Sequence, residues 1–160
     1  MIGLPPKMEF PCGFFDGAAA KNKGGACFIL FLSNSHNIHF SMGYGMSTNT
    51  KYELIALWAL LFASKIMGIP LHSVFGDSLV IITWASGNGT LNIPHLTHWC
   101  DEVKDLLLLF LDMNLKHIYR EHNQMADSLS KSALSLDSGF GIFQEYFLDM
   151  ITEHGNFHFF

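Results

Sequence analysis

Residues 50–85 read TKYELIALWALLFASKIMGIPLHSVFGDSLVIITWA, and this stretch decides the fold. Its first half places Leu54, Leu57, Trp58 and Leu61 at helical spacing until Gly68 and Pro70 end the element. A short strand is predicted over 73–75, reaching Gly76-Asp77. A second helix is predicted over 78–85, closing on Ser86-Gly87-Asn88-Gly89. Strand then helix, with polar residues at the junction, is the pattern of an α/β crossover.

Upstream, residues 10–18 (FPCGFFDGA), 26–32 (ACFILFL) and 38–44 read as three strands. The turns at Lys21-Asn22-Lys23-Gly24-Gly25 and Ser33-Asn34-Ser35-His36-Asn37 make them antiparallel. Downstream, Pro94 opens a third helix expected to run to about Leu111, with Leu96, Trp99, Val103, Leu106, Leu107 and Phe110 on its buried side. Residues 115–120 follow as a strand, and Asn123 is expected to cap a last helix through Leu134. The order β-β-β-α-β-α-α-β-α predicts an α/β fold with a mixed five-stranded sheet, three antiparallel strands and then parallel ones, flanked by helices. The expected division is a domain over 1–134, with a linker and aromatic tail over 135–160 packed on it. Phe143, Phe147 and Ile151 of that tail fall at helical spacing.

Half of the 160 residues (49%) are hydrophobic and only 14% are charged, which excludes a disordered chain and suits one domain with a substantial core. Cys12, Cys27 and Cys100 have no paired spacing, so neither disulfides nor a zinc knuckle is expected. The longest apolar run, Leu106 to Leu111, is too short to span a bilayer, and the N-terminus carries no charged-then-apolar leader. A soluble, intracellular monomer without membrane contact is expected. The net charge of −5, with nine Lys and Arg, argues against a protein that coats nucleic acid.

Four acidic residues occupy comparable settings. Asp16 ends an apolar strand before Gly17, Asp77 ends another before Ser78, and Glu53 and Asp127 sit in helix first turns. Each also has a plain structural role open to it. Glu53 lies three residues after Thr50, a capping-box spacing, and Asp127 would complement its helix dipole. Asp77 would serve as an N-cap, and Asp16 as an Asp-Gly turn residue. Together in one cavity the four would repel unless divalent cations neutralise them. Oxygen ligands of this kind favour Mg²⁺ or Mn²⁺ over zinc, and a pair of such ions suits phosphoryl displacement.

FFDGAA (14–19), TNTKYELIALWALLFA (48–63), FGDSLVIITWA (75–85) and IYREHNQMADSLSK (118–131), in this order, closely resemble the ribonuclease H-like domains common in plants, often of retroelement origin. The resemblance covers about residues 12–134. It implies the ribonuclease H fold and places the family's metal-binding catalytic carboxylates at Asp16, Glu53, Asp77 and Asp127. It further implies an endonuclease cutting the RNA strand of an RNA–DNA hybrid with two Mg²⁺ or Mn²⁺ ions. The competing reading is a retroelement-derived domain that binds nucleic acid or a protein without useful turnover.

Asn49 matches the polar stretch that the family uses to touch the hybrid, and a helix-entry turn accounts for it equally. Asn123 likewise resembles a family position, and capping accounts for it equally. Two family features are missing: the loop carrying a catalytic His upstream of the last Asp, and the basic handle that grips hybrid.

Lys21 and Lys23 are candidate phosphate contacts at a hairpin tip that is otherwise simply solvated. His122, beside Asp127, is a weak candidate for proton transfer, and Arg120, the only Arg, has an open role. His95, His98 and Cys100 lack a fourth ligand and are set aside as a metal site.

Overall fold

The computed structural model describes residues 4–158. Three long strands come first: β1 (Cys12–Ala20), β2 (Lys23–Ser33) and β3 (His36–Gly45). They pair antiparallel in sequence order, and Asn22, at φ 67°, makes the first tight turn. Then come α1 (Asn49–Ile66), β4 (Ser73–Gly76) and α2 (Leu79–Ala85). They are followed by α3 (Thr97–Leu107), β5 (Asn114–His117) and α4 (Gln124–Ser132). β4 lies parallel to β1, and β5 parallel to β4, as the crossover pattern requires.

The expected sheet has five strands, and the structure has seven, in the order β5-β4-β1-β2-β3-β6-β7. The addition is the aromatic tail, which forms the hairpin β6 (Phe140–Phe147) and β7 (Met150–His158) instead of following its helical spacing. β6 pairs antiparallel with β3 and seats Phe143 opposite Phe40. Leu148 and Asp149 make the hairpin turn at φ 52° and 62°. Tight hairpin turns of this hand usually announce themselves as Asn-Gly or Asp-Gly, so Leu-Asp gives no warning. The third helix also stops short of Leu111, leaving Leu108, Leu109 and Leu111 exposed.

Alternation along β1 sorts two cores. Phe15 faces the large core under α1 and α3, with Leu54, Leu57, Leu61, Val74 and Val103. Cys12 and Phe14 face a smaller core with Cys27, Ile29, Phe75, Ile118 and Ala126, on the side of α4. The helix α1 approaches β1 at main-chain distance. A methyl group at Gly17 would stand 2.6 Å from the Glu53 nitrogen, so only glycine admits this contact. Its entry is fixed by Tyr52, whose buried hydroxyl donates to the Gly45 carbonyl at 2.7 Å and accepts from the Ser47 amide at 2.6 Å.

Candidate metal centre at the head of the parallel strands

β1 and β4 run side by side in parallel with Phe15 opposite Gly76, so Asp16, the next residue of β1, and Asp77, the first residue past β4, come out side by side. Asp16 therefore stands inside β1, opposite Cys27, and not at the strand end or turn its Asp-Gly step suggests. Asp77 is not a helix cap either, because the Ser78 side chain accepts from the Ile81 amide. Nor does Glu53 belong to a capping box. The α1 cap is Thr48, whose hydroxyl accepts from the Lys51 amide, and Glu53 is buried at 6% exposure. With the plain roles removed, one oxygen from each of Asp16, Glu53 and Asp77 lies within 4.8 Å of the others.

The electrostatics of this trio are unfavourable as they stand. Burial, with Asp77 close by, pushes the Asp16 carboxyl up to about 6, against hydrogen bonds from Glu53 and Ser130 that pull it down. Burial and the Asp16 charge push Glu53 well above the usual carboxylate range. Glu53 Oε2 is buried with no hydrogen-bond partner. An orphaned buried carboxylate oxygen costs about 1–3 kcal/mol, and no basic side chain among the described residues is ion-paired to the trio. An all-oxygen donor set of this charge fits a hard divalent cation, which would satisfy Glu53 Oε2 and relieve the repulsion.

Asp127 stands apart. It lies in the first turn of α4 and Lys131, one turn on, donates to its Oδ2 at 2.9 Å. It is near enough for its charge to raise Asp16 but is not one of the converging ligands. The expected cluster of four is thus a trio and a salt-bridged outlier.

Asn123 departs furthest from expectation. It sits at the start of α4, yet its side chain makes no cap. Its amide instead donates to the Phe15 carbonyl at 3.1 Å and to Asp77 Oδ2 at 3.4 Å, at 2% exposure. The Phe15 carbonyl only accepts, which fixes the amide orientation. Asn123 thereby ties β1 to the Asp77 carboxylate and is too buried to be a substrate contact.

Asn49 is exposed at the first residue of α1, one turn before Glu53. Lys21 and Lys23 are exposed at the β1–β2 tip; four residues of strand put Ala20, beside Lys21, roughly 13 Å from Asp16. Arg120 is exposed and His122 half-buried in the turn before α4. His95 and His98 are exposed and join no metal-holding group among the described residues.

The sequence reading missed Ser130. Its buried hydroxyl is 3.0 Å from Asp16 Oδ2 and 2.9 Å from the Asp127 carbonyl. Its only sequence signal is its place three residues after Asp127, a helical-face relation that a serine rarely advertises.

A family model described as reverse transcriptase-like matches residues 14–133. Ribonuclease HI of Halobacterium salinarum is 32% identical over 124 residues, covering 76% of this chain and 62% of that protein. The uncharacterized protein YpeP of Bacillus subtilis is 28% identical over 130 residues, covering 76% of this chain and 58% of that protein. The chain thus spans about three-fifths of these relatives. The crystal structure of RNase H1 from H. salinarum superposes with a TM-score of 0.68 at 27% identity, over 78% of this chain and 96% of that one. LC11-RNase H1, solved in complex with an RNA/DNA hybrid, superposes with a TM-score of 0.70 at 22% identity, over 77% and 95%.

Proposed function

The chain belongs to the reverse transcriptase-like family and has the ribonuclease H fold, and from that premise we propose that it is a metal-dependent endonuclease hydrolysing the RNA strand of RNA–DNA hybrids. The observation that carries this reading is the convergence of Asp16, Glu53 and Asp77, with a buried Glu53 oxygen left unpartnered. Its relatives include a ribonuclease HI and an enzyme solved with hybrid. The four motifs support assigning it further to the plant, retroelement-type branch.

In this reading Asp16, Glu53 and Asp77 hold Mg²⁺ or Mn²⁺, and Asp127 joins them for a second ion once it leaves Lys131. Bound there, the metal supplies the Lewis acidity that phosphodiester hydrolysis requires. Ser130 and Asn123 orient Asp16 and Asp77, and they exclude water from behind the carboxylates. Asn49 touches substrate at the mouth, and Lys21 and Lys23 hold phosphate farther along. Contacts to the 2′-hydroxyl distinguish the RNA strand. The nuclease is the region 1–134, acting as a monomer, and 135–160 is an appendage.

The test is an assay of purified protein on hybrid, duplex RNA and duplex DNA, with Mg²⁺ and with chelator. Metal-dependent cutting of the hybrid's RNA strand alone is expected, and cutting of duplex DNA would replace the substrate assignment. Changing both Lys21 and Lys23 to Ala should raise KM a few-fold and leave kcat unchanged. The second reading, a domain that binds without turnover, is favoured by the Asp127–Lys131 pair. Metal binding with no cleavage of any of the three substrates would establish it.

A further inference from the structure

The helical layer over the large core ends halfway across the sheet. α1 packs on β1 and β2 and is flanked by α3, while no helix among the described residues packs on β6 or β7. Along its uncovered flank α1 carries two parallel ridges. One is Trp58, Phe62 and Ile66; the Trp58 ring stacks on Phe62 at 5.1 Å and meets Trp99 of α3 at 5.3 Å, so the ridge is open at Phe62 and Ile66. The other is the low row Ala59 and Ala63, closed just past the helix end by Met67. Ridges at intervals of four, with small residues between bulky ones, are the surface into which a second helix packs, about 8–10 Å from the first axis. Two strand spacings amount to about 10 Å, so a helix beside α1 would lie over β3 and β6.

The space there is an apolar groove of about 430 Å³, walled by these ridges and floored by aromatic rings of the sheet. Phe62, Ile66 and Met67 are 39%, 67% and 45% exposed at its edge. Its far rim is acidic. Glu145 and Glu153 lie directly opposite each other on β6 and β7, both lining the groove. Like charges facing each other across a strand pair are destabilising. His36 meets Glu145 at 2.6 Å, and Glu153 has no ion pair among the described residues.

We propose that this groove docks an amphipathic helix of a partner protein, one whose apolar stripe lies between α1 and the β6–β7 hairpin and whose flanking Lys or Arg meets Glu153. Charge complementarity selects this occupant over a second copy of the chain, which would bring another acidic rim against the first. The assignment is independent of the nuclease reading, because no groove residue belongs to the carboxylate trio.

The probe is a fluorescein-labelled 18-residue helical peptide with Leu and Phe at helical spacing and Lys along one flank, followed by anisotropy with the intact protein. Its partner probe carries Glu in place of Lys. The Lys peptide is expected to bind at least about tenfold tighter than the Glu peptide. Glu153→Lys should reverse that preference, and Phe62→Glu, a change at an exposed site, should abolish binding of both. The reversal is a response that loss of fold cannot produce. Absence of Lys-peptide binding, or binding indifferent to Glu153→Lys or Phe62→Glu, would overturn the proposal. Concentration-dependent self-association in sedimentation, lost in Phe62→Glu, would overturn it in favour of a second copy.

Discussion

Asp16, Glu53 and Asp77 stand on or beside two buried strands and on the helix pressed against them, whereas Asp127 stands in the first turn of a short helix with its side chain 23% exposed. Asp16 and Glu53 have lost their water and Asp77 part of it, and none of the three is ion-paired to a basic side chain among the described residues. The fourth keeps part of its water and holds Lys131. The same residue chemistry therefore sits in two different settings, one cluster without a positive charge beside it and one carboxylate to which the chain already supplies one. A salt bridge as exposed as Asp127–Lys131 is worth at most about 1 kcal/mol, so it yields readily, while the trio's repulsion does not.

The largest expected effect separates the two sites by substitution. Asp77→Asn should lower hybrid cleavage at least about a thousandfold in Mg²⁺. Without metal it should raise Tm by a few degrees, because one uncompensated charge is removed. Cleavage at the wild-type rate would take Asp77 out of the metal centre.

Next comes the residue that ties β1 to Asp77. Asn123→Ala should weaken Mg²⁺ binding about 10–100-fold, measured by calorimetry, by releasing Asp77. It should also cost about 1–3 kcal/mol of stability, since the Phe15 carbonyl loses its donor. Unchanged metal affinity with reduced stability would make Asn123 a strut between β1 and α4 and nothing more.

The trio should also govern the pH dependence of the metal-free fold. The Asp16 carboxyl rises from 3.8 to about 6 on folding, and burial pushes Glu53 up well above its ordinary value too. Between these values the folded chain holds more protons than the unfolded one, so stability falls as pH rises. In chelator, Tm should therefore drop between pH 4 and pH 7, and Mg²⁺ should flatten the slope. A metal-free Tm that climbs over this range would refute the burial argument.

The smallest effect belongs to the outlier. Lys131→Met should lower the Mg²⁺ concentration for half-maximal cleavage a few-fold, as expected for loss of a weak surface pair. A rise would mean that Lys131 assists, for instance by holding phosphate.

Much of this was legible in the chain. The helical spacing of Leu54, Leu57 and Leu61 and the strand reaching Asp77 gave the crossover, whereas the parallel pairing of β1 with β4 that sets Asp77 beside Asp16 is visible only in the structure. Periodicity set Asp16, Glu53 and Asp77 on strands and a helix but left each a plain structural role, and it was the four resembling motifs that singled them out. What was not legible depends on side-chain orientation and on turns without the usual residues. Asn123 looks like a cap in any sequence, and only its burial beneath Phe15 turns it toward Asp77. The Asp127–Lys131 spacing is an ordinary helix pair until compared with the cation-poor trio. The tail's strands were hidden because Phe143 and Phe147 satisfy a helical spacing as well as a strand, and Leu148-Asp149 is an unadvertised turn.

The contact at Gly17 has a consequence for ion choice. Because main chain meets main chain there, the separation of the β1 and α1 backbones that carry Asp16 and Glu53 is as short as a glycine allows. Magnesium requires oxygens at about 2.0–2.1 Å and calcium takes them at about 2.3–2.6 Å, so in the proposed metal centre a close, fixed backbone approach would favour the smaller ion. The gauge in that proposal would be a residue with no side chain, which binds no ion itself.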